Sequence, residues 1–385
     1  MSPAPSEMLD AVVIGGAQAG LAAGHELARR DLRFVVLEAA ARVGDGWRAR
    51  WDSLRLFTPA RYSGLPGLPF PAAPYHLPAK DEVADYLEGY ARHFALPVRT
   101  GARVAAVRAA GDAAGDAAGF VVETAGETFR AANVIVATGA AQVPRVPACA
   151  AALDPAIVQL HSSAYRNPAQ LPAGDVLVVG AGNSGAQIAL ELAAARRGTA
   201  RVLLAGRDTG AIPRRFLGRD IYDWLWPIGG RIDADSRLGR RMRSRMTGGD
   251  PLVGIRRDEI ARAGIRRTGR VAGVRDGRPL LDGAAGGNEV EALDVAAIVW
   301  CTGYGNAYPW LEPFPVTDTA GRPVHRRGVT VVPGLYFLGL RFQTNPRSSL
   351  IGGVGNDARA IVEHLARRPM RRRLHEASRG GVAAA

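Results

Sequence analysis

Leu9-Asp10-Ala11-Val12-Val13-Ile14-Gly15-Gly16-Ala17-Gln18-Ala19-Gly20 is the stretch that decides the fold. A short apolar run rich in β-branched residues ends on a glycine turn, and a helical pattern continues through Leu21 and Leu27 to Arg30. The next apolar run, Arg33 to Leu37, reads as a second buried strand and ends on Glu38, eighteen residues beyond Gly20. Strand, tight turn, helix and strand make a βαβ unit. In such a unit the glycines let the backbone approach a pyrophosphate, the helix amides and dipole hold its charge, and the terminal acid accepts from ribose hydroxyls. Gly15, Gly16, Ala17, Gln18, Gly20 and Glu38 are therefore the expected cofactor contacts. Ala17 stands where the fingerprint has its middle glycine, so one methyl group must be accommodated beside the phosphates.

A second copy lies 165 residues downstream, where Val176-Leu177-Val178-Val179 leads into Gly180-Ala181-Gly182-Asn183-Ser184-Gly185. All three glycines are present. The strand after this helix, Arg201 to Ala205, ends on Gly206-Arg207 in place of an acid. A guanidinium fork pairs with a 2′-phosphate and cannot accept from a free 2′-hydroxyl, so Gly180, Gly182, Asn183, Ser184, Gly185 and Arg207 are expected to select NADP. Asp208 follows at once, and an arginine exposed in a loop is the competing reading. Two dinucleotide turns on one chain imply two nucleotides. FAD on the first and NADPH on the second would bring a hydride donor to a flavin.

The composition agrees with a large folded chain. At 385 residues two or three domains are expected. Cys149 and Cys301 form no CxxC pair, so neither a dithiol centre nor a cysteine-based zinc site is expected, and a reducing cytoplasm suits them. No apolar run reaches the length of a membrane span, and no signal peptide is read. The net charge is +13, and Lys80 is the only lysine, so the excess is arginine. Its dense groups, Arg240–Arg245 and Arg367–Arg373, read as solvated helix faces and a ragged C-terminus, not as a nucleic-acid site.

Several further segments resemble the flavin-containing monooxygenase class, a class B flavoprotein group that includes the plant indole-3-pyruvate monooxygenases. Gly44-Asp45-Gly46-Trp47-Arg48, with Trp51 to Leu56 after it, is similar to the segment over the flavin, which implies Gly46, Trp47 and Arg48 as cofactor contacts. Ala137-Thr138-Gly139 and Cys301-Thr302-Gly303-Tyr304 resemble the outward and return hinges, and Leu350 to Ala358 resembles the part that closes the FAD site. Thr138, Gly139, Thr302, Gly303, Gly355, Asn356 and Asp357 follow as expected contacts. The class signature survives only partly: His161 and Tyr165 are in place, while Pro155 and Ile157 stand where phenylalanine and glycine would be. His161 either positions NADP or is structural. Phe57 replaces a polar residue near the flavin, leaving Thr58 as a hydrogen-bond donor or a turn residue.

The resemblance implies an α/β fold of two Rossmann-like, three-layer ββα domains. Residues 1–147 and 301–385 would bind FAD, and an inserted domain, 148–300, would bind NADP and carry a helical insertion near 215–250. Leu217, Ile221, Trp224, Leu225 and Ile228 recur there at helical spacing; packing on its own domain, a substrate lid and a peripheral membrane contact are the alternatives. Asp81 reads as a helix N-cap. The activity implied is NADPH-dependent monooxygenation of a small organic substrate by O2 through a C4a-(hydro)peroxyflavin, with no metal. The alternative is a flavin reductase or oxidase passing electrons to a carrier or to oxygen. Substrate and oligomeric state are not legible. Because its methyl occupies the phosphate side of the turn, Ala17→Gly is expected to tighten flavin retention through dialysis; unchanged occupancy and affinity would remove that assignment.

Overall fold

The computed structural model describes residues 8–110, 119–246, 249–282 and 291–368. The glycine/alanine turn at 283–288, most of the stretch 111–119 and the basic run beyond Arg368 lie outside the described residues.

The first βαβ unit forms as its sequence dictates. β1 (Ala11–Ile14) and β2 (Phe34–Leu37) are buried at every position, and α1 (Gln18–Ala28) crosses between them. Such continuous apolar runs are what a parallel strand covered on both faces requires. β1 and β2 join β3 (Val98–Arg99), β7 (Val134–Val136) and β22 (Leu335–Phe337) in a parallel sheet ordered β22-β7-β1-β2-β3. Alternate residues divide between two cores. Ala11, Val13 and Val36 face α1, α3 (Lys80–His93) and α8 (Val354–Ala366). Val12, Ile14, Val35 and Leu37 face an antiparallel layer of β4 (Val104–Ala109), β5 (Phe120–Thr124) and β6 (Thr128–Ala131).

The second unit repeats the plan. β9 (Val158–His161), β10 (Val176–Val179), β11 (Val202–Ala205), β16 (Arg266–Thr268) and β20 (Ala297–Trp300) form a parallel sheet ordered β16-β11-β10-β20-β9. α4 (Asn183–Ala195) covers one face, and β17 (Val271–Arg275), β18 (Arg278–Leu281) and β19 (Glu291–Ala292) cover the other. Both units are thus three-layer α/β, and the chain leaves the first sheet after β7 and returns to it at β22. The two crossings pair with each other: β8 (Val143–Pro144) and β21 (Tyr304–Gly305) form an antiparallel ribbon.

The insertion holds β12 (Ala211–Ile212), the hairpin of β13 (Arg215–Phe216) and β14 (Arg219–Asp220), α5 (Ile221–Arg231), α6 (Arg237–Met246), β15 (Leu252–Val253) and α7 (Arg257–Arg262). Its packing departs from the expectation that it lies on its own domain. The Tyr62 hydroxyl donates to Asp223 at 2.5 Å and that of Tyr75 at 3.0 Å, while the Arg347 guanidinium donates to the Trp226 carbonyl at 3.1 Å and lies over its ring. Gly229 and Gly230 make room for that arginine. α5 therefore leans on the loop after α2 (Asp45–Arg48) and on the C-terminal segment, because its inner face is aromatic and acidic and meets tyrosines and an arginine there.

One contact repeats in both units. A Cβ at Gly20 would lie 1.8 Å from the Gly15 carbonyl oxygen, and one at Gly185 1.8 Å from that of Gly180. Gly182 differs: its φ is −79° and a Cβ there meets nothing within 4 Å. Gly20→Ala is expected to cost about 3 kcal/mol or more in urea unfolding, and Gly182→Ala to stay within about 1 kcal/mol while weakening nucleotide binding. Equal losses at the two positions would contradict this division.

Candidate functional site

The first turn is shaped for an anionic ligand. Gly15 sits at φ +108°, where a side chain would strike the Ala137 carbonyl, and the Ala17 backbone is extended at φ −86°, so the alanine adds a methyl without strain. Ala17 and Gly182 occupy equivalent caps of α1 and α4, and the empty space at Gly182 shows where this methyl projects. Glu38 closes the turn from the end of β2. One carboxylate oxygen accepts from the Gly16 N–H at 2.7 Å and the other from the Ala40 N–H at 2.8 Å, leaving each a lone pair for a ribose hydroxyl. The Trp47 indole N–H reaches the Gln18 side chain at 3.4 Å, and Gly46 beside it is open. These residues fit the ribose and pyrophosphate of a dinucleotide.

Other expected contacts have different work. The Arg48 guanidinium donates to Asp85 at 2.8 Å, Glu88 at 2.7 Å, Asp45 at 3.2 Å and the Val43 carbonyl at 2.9 Å, so it fastens α2 to α3 and has no fork left for a cofactor. Lys80 supports the same helix, donating to the Arg48 carbonyl at 3.3 Å and to Asp81 at 2.9 Å. Asp81 is therefore not an N-cap: α3 starts after Ala79, whose N–H donates to Glu82 at 2.7 Å. Gly355 is a packing glycine, with Pro66 2.4 Å from where its Cβ would be. Asn356 is exposed on α8. Asp357 is buried and accepts from the Thr344 hydroxyl, and burial raises its carboxyl above the usual range. Thr58 is buried and accepts from the Ser63 hydroxyl at 3.1 Å, and the short helical turn after Pro59 has no side-chain cap. In the second turn, the Asn183 side chain donates to the Pro251 carbonyl and accepts from the Val253 N–H, both at 3.1 Å, so it is engaged with β15.

The hinges meet at His161. Its Nδ1 accepts from the Ser163 N–H at 3.1 Å, so the proton is on Nε2, which donates to the Gly303 carbonyl at 3.0 Å. The Tyr304 ring stands edge-on to the imidazole at 5.0 Å, and the Tyr304 hydroxyl receives Arg50 at 2.6 Å. With both ring nitrogens used, His161 is a positioning residue for the return hinge rather than a catalytic one. Thr302 donates to the Arg145 carbonyl in the opposite hinge. Gln142, which sequence reasoning missed, donates to Thr138 Oγ1 and the Gly139 carbonyl at 2.9 Å and accepts from the Ala307 N–H at 2.8 Å. No motif announces it, because its partners converge only in space.

At the edge of β11, Gly206 takes the place that Glu38 has in the first unit, at φ +133°, and Arg207 is exposed beside it. Asp208 does not compete for Arg207. Its carboxylate accepts from the Gly210 N–H at 2.8 Å and pairs with Arg257 at 2.7 Å; with Arg267 nearby, these hold it below the usual carboxylate range. Three arginines against one acid make this edge positive. Cys301 is closed against the turn beside Gly180 and Gly185, and burial pushes its thiol up to about 12. Both cysteines are free. Among the described residues, no cluster of acids, histidines and cysteines is suited to a metal ion, and no helix is long and apolar enough to cross a membrane.

The model of the pyridine nucleotide-disulphide oxidoreductase family matches residues 12–216. The chain belongs to that family. An uncharacterized CzcO-like oxidoreductase of Geobacillus kaustophilus is 38% identical over 360 residues, which is 93% of this chain and 98% of that protein. The flavin-containing monooxygenase from Stenotrophomonas maltophilia superposes with a TM-score of 0.72 at 28% identity, over 94% of this chain and 98% of its own. The rice indole-3-pyruvate monooxygenase YUCCA4 is 35% identical over 231 residues, 56% of this chain and 52% of its own. The chain is an FAD- and NAD(P)-dependent flavoprotein oxidoreductase of the flavin-containing monooxygenase type.

Burial holds the His161 pKa below its ordinary value, partly offset by the Gly303 carbonyl. The contribution of this ring to stability is thus present above the unfolded value of about 6.5 and lost as pH falls through it toward the folded one. His161→Ala is expected to cost about 1–3 kcal/mol at pH 7.5 and to flatten the decline in stability toward about pH 5.5. A variant as stable as the parent, with the same acid sensitivity, would contradict the hinge role.

Proposed function

We propose that the chain uses NADPH and dioxygen to oxygenate a small organic substrate at the seam between the two nucleotide units. FAD- and NAD(P)-dependent monooxygenation is the general chemistry its relatives support. The observation that carries the finer reading is the asymmetry of the twin turns: a carboxylate closes the first, and an arginine cluster closes the second. Residues 1–147 and 301–385 would hold FAD, with 148–300 holding NADPH. When bound, FAD supplies the hydride acceptor and the activation of oxygen.

The chain supplies position and dryness. Glu38 and the amides of α1 hold the ribose and pyrophosphate of the first nucleotide. Gly182, Ser184 and the amides of α4 hold those of the second, and Arg207 takes the 2′-phosphate. Trp47 covers the first site, while Trp51 and Leu54, from the same loop, are buried in the core of the second unit. The Gln187 side chain donates to the Arg55 carbonyl at 3.2 Å, so this loop is tied to α4 and the two sites stay in register. A seam closed in this way limits water at the reacting atoms.

The coupling test compares NADPH consumed, hydrogen peroxide formed and oxygenated product across sulfides, amines, α-keto acids and ketones. At least one class is expected to yield product while peroxide falls below NADPH consumed. Peroxide equal to NADPH with every class would establish the oxidase or reductase reading instead. Arg207→Gln is expected to raise KM for NADPH roughly ten- to a hundredfold and leave KM for NADH nearly unchanged; an equal change for both would remove the 2′-phosphate role.

A further inference from the structure

The hairpin β13–β14 buries almost nothing. At its tip Leu217 is 74% exposed and held at φ +48°, and Phe216 beside it is 52% exposed. A leucine in the left-handed region is uncommon and costly. The hairpin is fixed to α5: the Trp224 indole N–H donates to the Phe216 carbonyl at 3.1 Å, and the two rings meet edge-on at 6.3 Å. On the same side of α5, Leu225 is 37% and Ile228 53% exposed. Helical spacing puts Trp224, Leu225 and Ile228 on one face. That face cannot turn inward, because Asp223 and Trp226 hold the opposite one on Tyr62, Tyr75 and Arg347.

The charge around this apolar strip is predominantly positive. Arg215, Arg219 and Arg231 are exposed along its border, and α6, which follows, carries five arginines and no acid. The nearby acids are engaged: Asp220 with Arg214 at 2.7 Å, and Asp223 with two tyrosine hydroxyls and, at 3.9 Å, with the largely exposed Arg219. An apolar tip with arginines beside it complements anionic headgroups above hydrocarbon.

We propose that this face docks on an anionic phospholipid bilayer. Phe216, Leu217, Leu225 and Ile228 enter the boundary between headgroups and acyl chains, and the bordering arginines meet lipid phosphates. The occupant is lipid rather than another polyanion because the most exposed side chains at the tip are apolar.

The test floats the purified full chain with vesicles of equimolar phosphatidylglycerol and phosphatidylcholine, and with phosphatidylcholine alone. Two variants are run beside it: Phe216→Ser with Leu217→Asn, asparagine being tolerant of the left-handed region, and Arg215→Gln with Arg219→Gln and Arg231→Gln. The parent is expected to float with the anionic vesicles only, with a blue shift of tryptophan emission, and each variant to partition roughly tenfold less. Parent protein that remains unbound, or a tip variant that floats as well as the parent, would overturn the proposal. So would a dimer on size exclusion that the tip variant dissolves, since a second copy would then cover the face.

Discussion

Both nucleotide turns depend on a single steric fact: the carbonyl oxygen of the first glycine occupies the space where a side chain five residues later would begin. Gly20 and Gly185 meet Gly15 and Gly180 at the same 1.8 Å from a would-be Cβ. The helix can start this close to its strand only because no side chain intervenes. Its first amides then point at the space above the turn, where their unpaired N–H groups and dipole favour phosphate. Sheet, crossover helix and anion cradle are consequences of the same contact, made twice.

What makes two cradles one device is the seam between them. The two hinges pair as a short ribbon, His161 holds Gly303, and Gln142 bonds residues on both sides. The loop after α2 enters the second core through Trp51 and Leu54. α5 reaches back from the second unit to Tyr62 and Arg347. Part-buried polar contacts of this kind specify a geometry as well as stabilising it. The family is named for disulphide chemistry, yet here Cys149 and Cys301 are far apart in sequence and both free, and burial pushes the Cys301 thiol's pKa up.

Much of this was legible in the sequence. β-branched runs, glycine turns and terminal residues at fixed spacing report on local geometry, so Gly15, Gly20, Glu38, Gly180, Gly185 and Arg207 stand where the spacing puts them. The same reasoning failed where a side chain's partner is distant. The family resemblance implies Arg48 as a cofactor contact, but Asp85 and Glu88, one turn apart on α3, claim its guanidinium. At Gly355, another contact the resemblance implies, Pro66 fills the space a Cβ would take. Asp208 adjoins Arg207 in sequence, but Arg257, from α7, pairs with it instead. Sequence spacing carries the backbone; competition among charged side chains is decided by the tertiary fold.

The sharpest check is an anaerobic titration of the purified, flavin-reconstituted chain with NADPH, followed by visible absorbance. A yellow protein whose flavin band bleaches with one equivalent of NADPH per chain is the expected result. A chain that stays colourless after reconstitution, or a flavin band that persists in excess NADPH, would contradict the pairing of the two turns.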